Sequence, residues 1–168
     1  MRVRLAVAVL WVASLATSSG LAASQAGTLP MPSPSPSPKS YVLYVAEDHD
    51  VRAGKRTVVE LRFRVANGFH VNSHTPKSEL LIPTALALDP EAGVTEEAVE
   101  YPAGKSYSFS FDPSNKLDVY TGDFMVKVPV VASAGAHTIH GTLHYQACDR
   151  EACYPPKDLA LQVIFTAR

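Results

Sequence analysis

The sequence has no excess of basic residues, since 15 Lys and Arg stand against 16 Asp and Glu and give a formal net charge of −1. Without a basic surplus to neutralise phosphates, nucleic-acid binding has no electrostatic support, and a polybasic membrane-surface protein is equally disfavoured. The sequence also has no Gly-rich phosphate loop, no Ser-His-Asp signature and no internal repeat. No segment carries apolar residues at the 3.6-residue spacing of an amphipathic helix. These absences argue against nucleotide-dependent enzymes, serine hydrolases and mostly helical folds.

Long apolar runs are also missing, and the longest at the start of the chain covers only residues 5–13. This run is shorter than the roughly 20 residues that span a bilayer. Arg2 and Arg4 precede it and small residues follow it up to Ala26, which is the pattern of a secretory signal peptide. We therefore predict a signal peptide over residues 1–26, export to the periplasm, and no transmembrane segment after cleavage.

A Pro/Ser-rich segment follows, with proline at alternate positions from Pro30 to Pro38. Each proline removes one backbone N–H donor, and the segment favours an extended polyproline II spacer. A ligand for proline-binding modules is the alternative interpretation, but a linker over residues 27–39 is the simpler one. Residues 40–168 then form one domain of ordinary size.

Short β-branched and aromatic segments separated by turn signals dominate residues 40–168. In the clearest segment, residues 57–65, apolar and charged side chains alternate with a period of two. Turn signals include Asn67-Gly68 and the stretch Asp112 to Asn115. Seven or so such strands predict an all-β, immunoglobulin-like antiparallel β-sandwich. The expected strands are residues 41–45, 57–65, 80–88, 107–111, 124–132, 137–145 and 159–165.

The only two cysteines, Cys148 and Cys153, are separated by four residues. In an exported protein an even number of cysteines is expected to pair. We expect a hairpin loop of Asp149 to Ala152 with the cysteines facing each other across its base, at a separation that a disulfide spans.

The role of this bond stays open on these grounds alone. A loop of about six residues contributes only about 2 kcal/mol in the chain-entropy model, which is little for a structural staple. A bond between adjacent strands is also prone to strain, and strained disulfides exchange more readily. A redox-active bond, a structural bond, and a free dithiol or metal-binding pair are the three alternatives.

The residues around the cysteines carry a family resemblance. Tyr145-Gln146-Ala147-Cys148, followed after four residues by Cys153-Tyr154-Pro155-Pro156, resembles the active-site stretch of the N-terminal periplasmic domain of the thiol:disulfide interchange protein DsbD. Three further stretches fit the family in order: Asn67-Gly68-Phe69-His70-Val71-Asn72-Ser73 with Leu81-Ile82-Pro83-Thr84, Tyr101-Pro102-Ala103-Gly104-Lys105, and Val119-Tyr120-Thr121-Gly122. The resemblance implies an immunoglobulin-like fold that passes reducing equivalents to periplasmic proteins.

The resemblance also implies roles for particular residues. Cys148 and Cys153 match the redox pair, and either of them could form the mixed disulfide with a partner. Family members shield the disulfide with an aromatic residue on a cap loop, and Phe111, or failing that Phe109, is the expected counterpart here, with core packing as the alternative for both. Tyr145 and Tyr154 flank the cysteines and are candidates for a docking surface, with structural packing as the alternative.

The resemblance further implies partners of two kinds, namely exported thioredoxin-like proteins and a membrane-embedded electron carrier. DsbD proteins continue into membrane and thioredoxin-like domains, whereas this sequence ends at Arg168. We therefore expect a separate protein to supply or accept the electrons.

Six histidines offer a metal-binding alternative, but the sequence supports it weakly. His70 and His74 are four residues apart without a helix, and a blue-copper site needs His and Met ligands soon after a cysteine. Neither follows Cys153. We expect no metal and no cofactor. The leading interpretation is a thiol–disulfide exchange module; a binding or adaptor module with a structural disulfide and a metal-delivery protein are the alternatives.

Overall fold

The computed structural model describes residues 40–168, which form twelve β-strands. The predicted signal peptide (1–26) and linker (27–39) lie outside these described residues. The strands are β1 (Val42–Val45), β2 (Asp50–Val51), β3 (Arg56–Val65), β4 (His70–Asn72), β5 (Ala85–Leu88), β6 (Val94–Glu96), β7 (Lys105–Phe109), β8 (Asp112–Tyr120), β9 (Asp123–Ala132), β10 (Gly135–Tyr145), β11 (Ala147–Cys148) and β12 (Lys157–Ala167). Within residues 40–168, no helix is long and apolar enough to cross a membrane.

Two four-stranded sheets build the sandwich. Their strand orders are β1-β3-β9-β6 and β2-β12-β10-β5, and every pair is antiparallel except the short parallel pair of β2 with β12. The predicted immunoglobulin-like β-sandwich is confirmed. The long pairs β3–β9 and β10–β12 hold the centre of each sheet and place the remaining strands at the edges.

Period-two alternation explains why the sheets pack face to face. On β3, Leu61 and Phe63 are buried in one apolar cluster that also contains Val126 of β9 and Leu143 of β10. The opposite face of β3 is wet, and there Arg64 pairs with Asp123 at 2.7 Å. One face of each sheet therefore excludes water while the other carries charge.

A third sheet, of order β11-β4-β8-β7, lies at one end of the sandwich. It grows out of the main sheets: β3 leads into β4 through Gly68, β10 leads into β11 through Gln146, and β8 leads into β9 through Gly122. Both glycines have positive φ, 84° and 61°, which other residues rarely adopt. The two turns are joined because Val65 N donates to Gly122 O at 2.9 Å. We call this third sheet the end sheet. It carries the loop between the two cysteines and the hairpin formed by β7 and β8.

Two sequence expectations about strand boundaries were wrong. Of the strand expected over residues 80–88, only β5 (Ala85–Leu88) is a strand in the structure. The turn expected at Asp112 to Asn115 is instead the beginning of β8. The β7–β8 turn lies one step earlier, at Ser110 and Phe111. Tyr107 pairs with Leu117 but Phe109 pairs with Asp112, so the intervening polar residues of β8 are accommodated as an irregularity in the ladder.

Candidate functional site

The predicted disulfide is present and joins Cys148 to Cys153 across a four-residue loop. The two residues form an isolated antiparallel bridge with a Cα–Cα distance of 3.9 Å. Backbone hydrogen bonds close the loop on both sides, since Asp149 N donates to Ala152 O at 2.9 Å and Tyr154 N donates to Ala147 O at 2.8 Å. The hairpin geometry expected from the spacing is confirmed.

The two cysteines differ sharply in accessibility. Cys148 ends β11 and is 0% exposed, whereas Cys153 is exposed. β4 covers one side of β11, and the segment that begins at Cys153 lies along the other side. No strand among residues 40–168 pairs with the outer side of that segment, and Pro155 and Pro156 contribute no N–H groups to it. Cys153 is therefore accessible to a partner, whereas Cys148 is not.

The carboxylate of Asp149 organises the cysteine loop. It accepts hydrogen bonds from Glu151 N at 2.8 Å, Ala152 N at 2.9 Å and the Tyr154 hydroxyl at 2.6 Å. These bonds, led by the one from Tyr154, lower the pKa of Asp149 to about 2, and the same bond raises the pKa of Tyr154. A single ionised side chain thus fixes both the turn between the cysteines and the residue that follows Cys153.

Gln146 and Asn72 anchor the base of the same loop. The Gln146 amide nitrogen donates to Tyr154 O at 3.2 Å, and its Oε1 accepts from Asn72 Nδ2 at 3.1 Å. Asn72 Nδ2 also donates to Ile82 O at 2.9 Å. Both residues lie in stretches that carry the family resemblance, which is the one sequence signal that could have singled them out; spacing and composition could not.

The two candidate docking tyrosines occupy different positions. Tyr154 is half-buried, and its ring stacks on Tyr41 at 5.2 Å between centroids. Tyr145 is only 1% exposed, and its hydroxyl accepts from Tyr41 N at 3.1 Å. A buried side chain offers no surface to a partner, so the docking expectation for Tyr145 is corrected to internal support, while docking by Tyr154 stays a prediction.

A row of rings leads from the cysteines to the tip of the β7–β8 hairpin. His70 is the direct cross-strand partner of Cys148, and its ring lies 4.1 Å from Tyr107 and 5.9 Å from Phe109 between centroids. Phe109 in turn stacks on Phe111 at 4.9 Å. Phe111, at the tip, is 69% exposed. The two expected cap residues therefore lie on this row, in which His70 is the residue paired with Cys148.

The remaining histidines do not assemble a metal site. His74 stacks on Tyr101 at 3.7 Å, with its Nδ1 3.0 Å from Thr84 O, and His144 lies 2.6 Å from an Asp158 oxygen. Among residues 40–168, no three His, Cys, Asp or Glu side chains are grouped so that they could hold a metal ion.

Comparison with known proteins identifies the family of this chain. The family model described as "Thiol:disulfide interchange protein DsbD, N-terminal" matches residues 42–163. The chain belongs to this family. The family and the Cys148–Cys153 disulfide together support a thiol–disulfide exchange module.

Two solved structures are similar to this chain. The reduced DsbD N-terminal domain of Neisseria meningitidis has 21% sequence identity and a TM-score of 0.44, and the match covers 69% of this chain and 86% of that one. The N-terminal periplasmic domain of ScsB from Proteus mirabilis has 11% identity and a TM-score of 0.48, with 73% of this chain and 44% of that one covered. No curated protein matches the sequence.

Proposed function

We propose that this protein is an exported module that passes reducing equivalents between a redox donor and periplasmic protein disulfides through the Cys148–Cys153 pair. One observation carries the proposal: the disulfide closes a short loop at an unpaired sheet edge, with one cysteine exposed and the other buried. A structural bond gains nothing from such an asymmetric position. An exchanging bond needs one accessible sulfur and one resolving sulfur.

The asymmetry supports a defined order of events. A donor thiolate attacks Cys153, a donor–Cys153 mixed disulfide forms, and Cys148 leaves as the thiolate. A second donor thiol then releases Cys153 and completes the two-electron reduction. The reduced module then reduces a partner. The Cys153 thiolate attacks the partner disulfide, and Cys148 attacks Cys153, which expels the reduced partner and restores the Cys148–Cys153 bond.

The proposed partners are exported thioredoxin-like proteins, a membrane electron carrier, or both. The unpaired edge at Cys153, Pro155 and Pro156 leaves room for a partner's active site, and Tyr154 lies beside it. The signal-like residues 1–26 and the spacer 27–39 support export to the periplasm. The dithiol itself carries the two electrons, so the proposed chemistry requires no cofactor.

The reduction potential tests whether the bond exchanges. After equilibration with glutathione buffers, we expect a potential above about −300 mV, because structural disulfides in secreted proteins lie below that value. A lower potential would favour the alternative of a binding module with a structural disulfide.

Two matched variants test the order of attack. The partner is a purified thioredoxin-like protein that lacks its own resolving cysteine and carries its remaining cysteine as a mixed disulfide with glutathione. With it, Cys148→Ser should accumulate a protein–protein mixed disulfide, because the exposed Cys153 thiolate attacks the partner sulfur and expels glutathione as the leaving thiolate. Cys153→Ser, which retains only the buried Cys148, should accumulate little. Non-reducing electrophoresis measures both adducts, and the double variant is the control. Equal adduct formation by the two single variants would contradict attack at Cys153.

A further inference from the structure

His70 combines three properties that together point to a role beside Cys148. It lies directly opposite Cys148 in the β4–β11 ladder, so both side chains project from the same face of the end sheet. It is only 2% exposed, and its Nε2 has no hydrogen-bond partner. Tyr107 packs against its ring at 4.1 Å. A buried ring nitrogen without a partner is costly, so a role that supplies a partner in another state of the protein would account for it.

Reduction of the disulfide creates the group that Nε2 lacks. In the oxidised protein Cys148 has no proton to donate. In the reduced protein it carries an S–H group, which is a hydrogen-bond donor, and the neutral imidazole offers an acceptor nitrogen. The buried position of Cys148 also opposes a free thiolate, because burial disfavours the charged form of a thiol. The resolving step therefore needs a nearby group that takes the proton.

We propose that His70 accepts the Cys148 proton when Cys148 resolves the mixed disulfide, and returns it in the reverse reaction. The proposal rests on the exchange function proposed above. In the step, Cys148 S–H gives its proton to His70 Nε2, and its sulfur attacks Cys153. The Cys148–Cys153 bond forms, the Cys153–partner bond breaks, and the electron pair leaves with the partner as a thiolate. The reactants are neutral, and the products are an imidazolium and a thiolate, so charge and atoms balance.

The surroundings of His70 suit a neutral acceptor. Among the described residues, the titratable groups placed against it are Tyr107 of β7, Cys148 of β11 and Asp149 of the cysteine loop. Burial lowers the pKa of His70, and the negative charge of Asp149 partly offsets this. A depressed pKa keeps the imidazole unprotonated at neutral pH and ready to take a proton, while Asp149 stabilises the imidazolium that results.

A measurement on the wild-type protein tests the contact without any variant. Nitrogen-15 spectra of the histidine rings should show the Nε2 resonance of His70 moving between the oxidised and reduced forms at pH 7, because reduction supplies an S–H partner. His144 of β10, whose ring nitrogen lies 2.6 Å from an oxygen of Asp158 on β12, is the internal control, and its resonances should not move. An unchanged His70 resonance would overturn the proposal.

Kinetics on matched variants test the proton transfer. The probe is glutathione disulfide, which reacts with Cys153 and releases the first glutathione. Release of the second glutathione, which is expelled when Cys148 attacks Cys153, is followed from pH 6 to pH 9 at a glutathione disulfide concentration high enough that the first step is not rate-limiting. His70→Phe keeps an aromatic ring without a base, and His70→Gln is the smaller polar alternative. His144→Phe is the matched control. Below the thiol pKa, a reaction that needs a free thiolate slows about tenfold per pH unit, whereas transfer to a neutral base makes the rate less steep.

We expect wild type and His144→Phe to have the shallower profile, and both His70 variants to lose about tenfold or more of the wild-type rate at pH 6. Parallel profiles in all folded proteins would overturn the role of His70. That outcome is distinct from failure of the proposed function. The proposed exchange function is contradicted if the reduced wild-type protein does not exchange at all. Only the role of His70 is contradicted if the wild-type protein exchanges and the His70 variants show the same pH profile of the rate.

Discussion

At the scale of single residues, the shape of the cysteine loop depends on ionised Asp149. Three donors converge on its carboxylate, two from the loop backbone and one from Tyr154. The carboxylate thereby links the turn between the cysteines to the aromatic group beneath it, in which Tyr154 contacts Tyr41 and Phe69. Tyr154 is therefore connected to the loop between the cysteines through Asp149 as well as through the backbone.

The pKa of Asp149 leads to a prediction about acid stability. Its folded-state value of about 2 lies below the value of about 3.9 in unfolded chains, so ionised Asp149 stabilises the fold above about pH 4. This contribution is lost as the pH falls from about 4 to about 2. Tyr154→Phe removes the largest cause of the shift. We expect its thermal midpoint, followed by circular dichroism, to depend less steeply on pH in this interval than the wild-type midpoint does.

Tyr44→Phe is the matched control for this prediction. The Tyr44 ring packs on Phe63, with 5.5 Å between the ring centroids. Tyr44 does not contribute to the pKa shift of Asp149. This variant should follow the wild-type pH dependence. Identical slopes for Tyr154→Phe and wild type would show that Asp149 is not coupled to folding in this way.

At the scale of elements, local alternation predicted the long strands well and failed where tertiary pairing decides. β3, β9, β10 and β12 lie within a few residues of the expected segments, because each has one buried and one wet face over nine or more residues. The β8 boundary was wrong because Asp112 to Asn115 has turn composition, yet pairing of β8 with β7 absorbs it as an irregularity.

The candidate site shows the same division. The cysteine spacing was enough to predict the bond and its loop. The role of His70 could not be predicted, because β4 has only three residues and no alternation to show that position 70 is buried opposite Cys148. Burial of Tyr145 was equally invisible, since a tyrosine beside a cysteine suits a docking surface and a core position alike.

The β7–β8 hairpin carries the next prediction. Phe109 packs against His70, the cross-strand partner of Cys148, and also stacks on the exposed Phe111. If this hairpin limits access, Phe109→Ala should speed reduction of the disulfide by dithiothreitol more than Phe111→Ala does. The equilibrium potential should stay nearly unchanged, because a cap alters access and not the bond itself. Stopped-flow tyrosine fluorescence measures the rates.

The control for this prediction is an exposed apolar residue away from the site. Leu43 is exposed on β1, and Leu43→Ala should reduce at the wild-type rate. If both phenylalanine variants keep their fold and also reduce at the wild-type rate, the hairpin does not gate the disulfide, and the two rings serve packing alone.

At the scale of the whole molecule, the main apolar cluster contains neither cysteine, so we expect the fold to persist when the disulfide is reduced. The main apolar cluster joins strands of both large sheets, for example Phe63 of β3, Val128 of β9 and Val163 of β12, and the cysteine loop lies at the end of the sandwich. The two redox states can therefore share one scaffold. Such independence suits a module whose bond opens and closes in every cycle.

Reduction should accordingly cost little stability. A six-residue loop contributes about 2 kcal/mol through chain entropy, which for a domain of this size corresponds to a fall of roughly 5–10 °C in thermal midpoint. Melts of the oxidised and reduced protein measure the difference, and the Cys148→Ser and Cys153→Ser double variant should melt like the reduced protein. The hydrogen bonds of Asp149 and Gln146 involve no sulfur atom, so we expect them to hold the loop when the covalent bond is open. If reduction instead abolished the cooperative transition, the bond would be a structural staple, and exchange through it would unfold the module at each turnover.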